Sequence, residues 1–157
     1  MIKLTKASAK EPVAEAFSLV MAPEVRRECV DQARAAGYAD ALRIGDNLRR
    51  GVVAAHEGRR VPRAESMIAD LGLAGGEADT LRLFLTARAD LIVSDDRRFT
   101  RLLDGLAVPF TTAAGLLVAL ADSRKASRAE CLRLLERMAP LISEEEFLVV
   151  SALIGGR

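Results

Sequence analysis

The chain has 157 residues and a formal net charge of +1; half of it is apolar and 4% is aromatic. That is enough material for one hydrophobic core, and the charge points neither toward nor away from a polyanionic partner. Two cysteines, Cys29 and Cys131, and a single histidine, His56, exclude a disulfide scaffold and a structural zinc site. No apolar run reaches transmembrane length and no basic-plus-apolar leader is present, so the expectation is a cytoplasmic protein without membrane contact.

In chain order, Pro12 suits the first turn of a helix ending at Phe17. Ser18 to Met21 reads as a short strand ended by Ala22-Pro23. A helix from Glu24 to about Ala36 then carries Val25, Cys29 and Val30 on one side, and Gly37 stops it. Ala39 to Arg50 is a second helix closed by Gly51, and Val52 to Ala55 is a weak strand. The segment from His56 to Pro62 is polar and loop-like. Ala64 to Leu73 looks helical before the Gly75-Gly76 break. Leu81, Phe84 and Leu85 have helical spacing, while Leu91, Ile92 and Val93 form a short continuous apolar run. Such a run predicts a parallel strand at 90–94 buried on both faces. Arg97 to Leu103 reads as a short helix and Ala107 to Phe110 as another strand. Thr111 or Thr112 can cap a helix running to about Ala121. Ser127 with Glu130, and Ser143 with Glu146, are capping boxes that open two more helices. Strands and helices alternate from 18 to 121 and the tail is helical, which predicts an α/β fold with a parallel sheet wrapped by helices.

Acidic residues mark the candidate site. Glu77 and Asp79 open one helix, and Asp95 and Asp96 end the strand that follows it. Open α/β sheets bind ligands beyond the carboxyl ends of their strands, so these acids point to one edge. Gathered carboxylates repel one another and commonly serve to hold a divalent cation. The plainer reading is a negatively charged first helical turn, with Ser94, Asp95 and Asp96 all able to cap the helix at Arg97. Glu28, flanked by Arg26 and Arg27, reads alone as a solvated helical residue. His56 reads as a surface residue. No phosphate-binding glycine loop is present. The arginine pairs at 26/27, 49/50, 59/60 and 97/98 are phosphate contacts only if the acids hold metal, and otherwise are solvated helix ends.

Three segments together resemble the PIN-domain family, in its VapC-like toxin branch. LGLAGGEADTLRLFLTARADLIVSDDRRF is similar to the family's acidic helix, strand and double-Asp segment. SLVMAPEVRREC resembles its strand, Pro-containing turn and acid-bearing helix, and VPFTTAAGLLVAL its last strand and Thr-Gly helix. The resemblance covers about residues 17–121. It implies one PIN-like three-layer α/β/α domain over 1–157, with a parallel sheet, a core at 17–121 and a helical extension at 122–157. It implies a Mg²⁺- or Mn²⁺-dependent endoribonuclease acting on single-stranded RNA, possible as the toxin of a toxin–antitoxin pair, with an antitoxin protein and a second copy of the chain as partners. By matching position the catalytic and metal-binding acids are Glu28, Glu77 and Asp96, with Asp79 and Asp95 as neighbouring metal ligands.

The chain departs from the family pattern at its start, where the first strand and its aspartate have no counterpart. MIKLTKASAKEPVAEAF aligns best with the helix that follows that strand. A chain beginning at Met1 is therefore expected to fill the central slot with residues 2–5, to borrow a strand from another subunit, or to leave the sheet broken. A further acidic position of some relatives is Arg98 here. These departures keep a second function open: a catalytically impaired PIN-like domain that binds nucleic acid or a partner.

Overall fold

Leu, Ala, Arg and Glu dominate this chain and favour helix, while β-branched runs are short. The computed structural model describes residues 1–87 and 89–156, and these are mostly helical. The elements begin with α1 (Ile2–Lys6), α2 (Lys10–Ala16), β1 (Val20–Met21), α3 (Pro23–Arg26), a π-helical segment (Arg27–Gln32) and α4 (Ala33–Ala35). They continue with α5 (Ala39–Arg49), β2 (Ala54–Ala55), α6 (Pro62–Asp70), α7 (Gly75–Thr86), β3 (Ile92–Val93) and α8 (Arg97–Gly105). Last come β4 (Phe110–Thr111), α9 (Gly115–Asp122), α10 (Arg128–Met138), a 3₁₀ turn (Ala139–Leu141) and α11 (Glu144–Gly155). The chain divides into two compact units, Leu19–Thr111, and Met1–Ser18 with the chain from Thr112 onward.

The unit from Leu19 to Thr111 contains every described strand. β1 pairs in parallel with β2, Val20 opposite Ala54. Ala54 N–H donates to the Leu19 carbonyl at 2.9 Å and His56 N–H to that of Met21 at 3.1 Å. β3 pairs in parallel with β4, Ile92 opposite Phe110. Ile92 N–H donates to the Pro109 carbonyl at 2.9 Å and Ser94 N–H to that of Thr111 at 3.0 Å. The alternation of elements anticipated one sheet, whereas the described residues form two separate two-stranded parallel ladders. A core of Ile68, Ala78, Leu81, Ile92, Phe99, Leu103 and Val108 joins α6, α7, β3 and α8, with Phe84 and Phe110 packed on it. The expectation that β3 is buried on both faces fails: Ile92 is 4% exposed, but Leu91 and Val93 are 39% and 37% exposed. Successive side chains of a strand leave on opposite faces, and the core cluster covers the face of Ile92 and not that of Leu91 and Val93.

In the other unit, residues 2–6 are helical, so they do not supply a strand. α9 packs on α10 and α11, burying Leu116, Leu117 and Leu120 together with Leu134, Leu135, Met138 and Ile154. The capping signals act as read: Ser127 Oγ accepts from Glu130 N–H and Ser143 Oγ from Glu146 N–H, both at 3.2 Å, and Thr112 Oγ1 from Gly115 N–H at 3.0 Å. Both cysteines are free, and burial pushes both thiols up, which leaves little reactive thiolate. Among the described residues no helix is long and apolar enough to cross a membrane.

Candidate functional site

The start of α7 is where residues distant in sequence meet. Pro23 opens α3 in the manner of a first-turn proline, and the helical run then passes through the π-helical segment holding Glu28. A π turn changes the direction in which side chains leave the helix, and such turns recur at functional positions. Here the Glu28 carboxylate lies against Gly76. A methyl group built on Gly76 would stand 3.1 Å from Glu28 Oε2, 3.3 Å from its Oε1 and 3.2 Å from Val25 Cγ2. Glycine at 76 therefore keeps the space that the carboxylate occupies. Glu77 follows at once in the first turn of α7, where the amide dipoles favour negative charge.

Asp79, two residues further, is committed differently. Its Oδ2 accepts the Glu24 N–H at 3.3 Å, which ties the start of α3 to α7. Its other oxygen takes a hydrogen bond from Arg82. Arg82 is 7% exposed and also forks onto Glu65 of α6, with Nε at 2.6 Å and Nη2 at 3.1 Å. The Arg82 guanidinium holds the Glu65 carboxyl below its ordinary range, chiefly through these hydrogen bonds. This clamp of Glu65, Asp79 and Arg82 positions α3, α6 and α7 against one another. Sequence reasoning passed over Arg82; its signal was an arginine three positions after an aspartate on an otherwise apolar helix face.

The segment 56–61 also belongs to this wall. Its polarity suggests a loop lying free, yet Gly58 is buried, and a Cβ there would stand 2.6 Å from Leu83 N and 2.7 Å from Arg82 C. Arg59 N–H donates to Thr86 Oγ1 at 2.8 Å, and that hydroxyl donates to the Arg82 carbonyl at 2.8 Å. The segment is thereby stitched to the back of α7. His56 is exposed, as its position in the sequence suggested.

Asp96 sits at the end of β3 and caps α8. Its Oδ1 accepts the N–H groups of Arg98 at 2.8 Å and Phe99 at 2.9 Å. Asp95, beside it, is exposed. The donor chemistry of Glu28 and Glu77 suits a hard cation, which takes carboxylate oxygens. Among the described residues, however, no three Asp, Glu, His or Cys side chains are grouped so as to hold a metal ion. The structure therefore brings Glu28 to the turn that carries Glu77, gives Asp79 to the arginine clamp and gives the Asp96 carboxylate to the α8 cap. The acids do not form one ready metal shell.

Comparison with known proteins adds no relative: no family model, no curated protein and no solved structure matches the chain.

Proposed function

We propose that the chain is a PIN-like α/β/α domain acting as a Mg²⁺- or Mn²⁺-dependent endoribonuclease on single-stranded RNA, the toxin of a pair with an antitoxin protein. Glu28, Glu77 and Asp96 are its acids, with Asp79 and Asp95 beside them, and a second copy of the chain is its partner in the cytoplasm. The observation that carries this reading is the Glu28 carboxylate lodged against Gly76 above a π turn. Glu28 is exposed to solvent, as its place in the sequence suggested, but its carboxylate reaches the start of α7 beside Glu77. Carboxylate oxygens are the ligands a hard cation takes, and a cation held there would assist hydrolysis of a phosphodiester.

A second reading rests on a different observation: the Asp96 carboxylate is engaged by two α8 amides, and no three-acid group is present among the described residues. On that reading the domain binds RNA or a protein partner without cleaving. One experiment separates the two. Mn²⁺ is titrated into the protein by calorimetry, and cleavage of an end-labelled single-stranded RNA is followed with wild type and Glu28→Gln. Cleavage that requires Mn²⁺ and disappears in Glu28→Gln supports the nuclease. RNA binding without Mn²⁺-dependent cleavage supports the impaired domain.

A further inference from the structure

α10 and α11 are neighbouring helices of one unit, and their outward faces are built differently. The exposed residues of α10 other than Ala129 are all charged: Arg128, Glu130, Arg133, Glu136 and Arg137. That is the surface expected of a helix whose other side is packed on a core. α11 is packed on its inner side in the same way, through Val150 and Ile154. Its outer side is charged only at the start, by Glu144 and Glu145, and the sequence from Phe147 to Gly156 holds no charged residue. Leu148, Val149 and Leu153 are 59%, 53% and 38% exposed, with exposed Ala152 among them. No other described helix exposes more than one large apolar side chain. Spacings of one, four and five residues set these four on one helix face, so they form a continuous apolar stripe and not scattered single contacts with water.

The charges around the stripe indicate what fits it. α10 and α11 are joined through the short turn Ala139–Leu141 and pack on each other, so they run antiparallel and α10 begins beside the end of α11. The two ends of this hairpin differ in sign. Glu136, Glu144, Glu145 and Glu146 outnumber Arg137 where α11 begins. Arg124, Lys125 and Arg128 outnumber Asp122 and Glu130 at the other end, all five exposed around one surface hollow. A second copy turned about a two-fold axis across α11 lays stripe on stripe and sets the acidic end of each hairpin beside the basic end of the other. Leu148 then faces Leu153 and Val149 faces Ala152. A parallel pairing would set acid against acid, and the same glutamates would repel an anionic lipid surface.

We propose that the outer face of α11 is the surface on which two copies of the chain pair, antiparallel about a two-fold axis. One self-complementary patch serves both partners, as such symmetry requires. The proposal gives the second copy in the reading above a place to bind, and it holds or fails apart from cleavage. The twelve residues of α11 make a face about 18 Å long, which puts the pairing at the small, reversible end of protein interfaces.

Sedimentation velocity over a dilution series is the test. Wild type is expected to pass from monomer to dimer as concentration rises. Leu148→Arg with Leu153→Arg is expected to raise the dimer dissociation constant at least about tenfold, and to melt like the wild-type monomer because neither side chain is buried within the chain. Glu144→Lys with Glu145→Lys is expected to weaken the dimer as well. Adding Arg124→Glu, Lys125→Glu and Arg128→Glu to that variant is expected to restore most of the affinity, a rescue that only contact between opposite ends produces. A wild type still monomeric at about 1 mM, below even weak interfaces, would overturn the proposal. So would a dimer untouched by the Leu148/Leu153 variant, a charge exchange without rescue, or binding to phosphatidylcholine vesicles in place of self-association. Failure of the nuclease reading shows separately, as absence of Mn²⁺-dependent cleavage with the dimer intact.

Discussion

α7 and α8 run into the same core, one before β3 and one after it, and their first turns are built on opposite plans. α7 opens on Gly75-Gly76-Glu77 with the Glu28 carboxylate against it, and one turn on it pairs Asp79 with a buried arginine. α8 opens on an aspartate cap followed by two exposed arginines without partners. Both helices bury apolar residues in one cluster, Ala78 and Leu81 from α7 and Phe99 and Leu103 from α8. The core therefore does not account for the difference. At α7 Asp79 is engaged by Arg82 and by the Glu24 amide; at α8 Asp96 caps the helix while the side chains of Arg97 and Arg98 face solvent. Substitutions at the two starts should separate accordingly, those in the α7 clamp costing more stability than those at the α8 cap.

The largest effect is expected at Arg82. Arg82→Met leaves Glu65 and Asp79 without their shared cation and unties α6 from α7, and should lower stability by more than the loss of a helix cap. Urea unfolding at pH 7 measures this. The clamp also has a pH signature. Arg82 depresses the Glu65 pKa in the folded state, so the stabilisation is present above the ordinary value of 4.5 and is lost as pH falls below it. Wild type should lose stability in that window, and Arg82→Met should lose less. Parallel pH profiles for the two proteins would remove the clamp from the account of α7.

A smaller effect is expected at the α8 cap. Asp96→Ala removes the acceptor for two amides and should cost about 1 kcal/mol. Asp96→Asn keeps a capping oxygen and should change stability by only a few tenths of a kcal/mol, because asparagine caps as well as aspartate. Asparagine nevertheless removes the negative charge. If Asp96 serves the proposed nuclease, Asp96→Asn abolishes Mn²⁺-dependent RNA cleavage in a folded protein; if it only caps, cleavage is unchanged.

The smallest effect has the opposite sign. Arg97→Glu places an acid where the α8 dipole favours one and should stabilise the fold by about 0.5 kcal/mol at low ionic strength, fading as salt is added. Thermal melts at two salt concentrations read this. A destabilised Arg97→Glu would mean that the arginine makes a contact inside the fold, and the contrast between the two helix starts would fall.

Much of the local structure was legible in the sequence because its signals act over a few residues. The serines at 127 and 143 cap the helices they precede, Gly37 and Gly51 adopt positive φ just past helices, and the acids were located by their spacing around one helix and one strand. Non-local outcomes were less legible. Lys10 lies in a lysine-rich polar start, yet it is fully buried. The apolar run at 91–93 signalled a strand correctly but not its burial, because burial depends on which neighbours pair with it. The segment at 56–61 is the loop its polarity signalled, but nothing near Gly58 in sequence shows that the backbone of α7 passes against it.

By itself the sequence determined the positions of most helices and strands, their caps and stops, and the acids from which a site would be built, since each follows from propensity, periodicity or local hydrogen bonding. The tertiary structure decided which of those acids gain partners distant in sequence. Glu28 reached Gly76 because a π turn and an open glycine position met across the chain. Asp79 meets Arg82 three residues on along its own helix and α6 adds Glu65 to the pair, while Asp96 is taken by the amides of the helix it precedes. Carboxylates of one chemical kind diverge in role according to which donors lie within hydrogen-bonding distance: for Asp96 and for Asp79 with Arg82 these are a few residues away, whereas Glu65 at Arg82 and Glu28 at Gly76 depend on three-dimensional neighbours that no local spacing encodes.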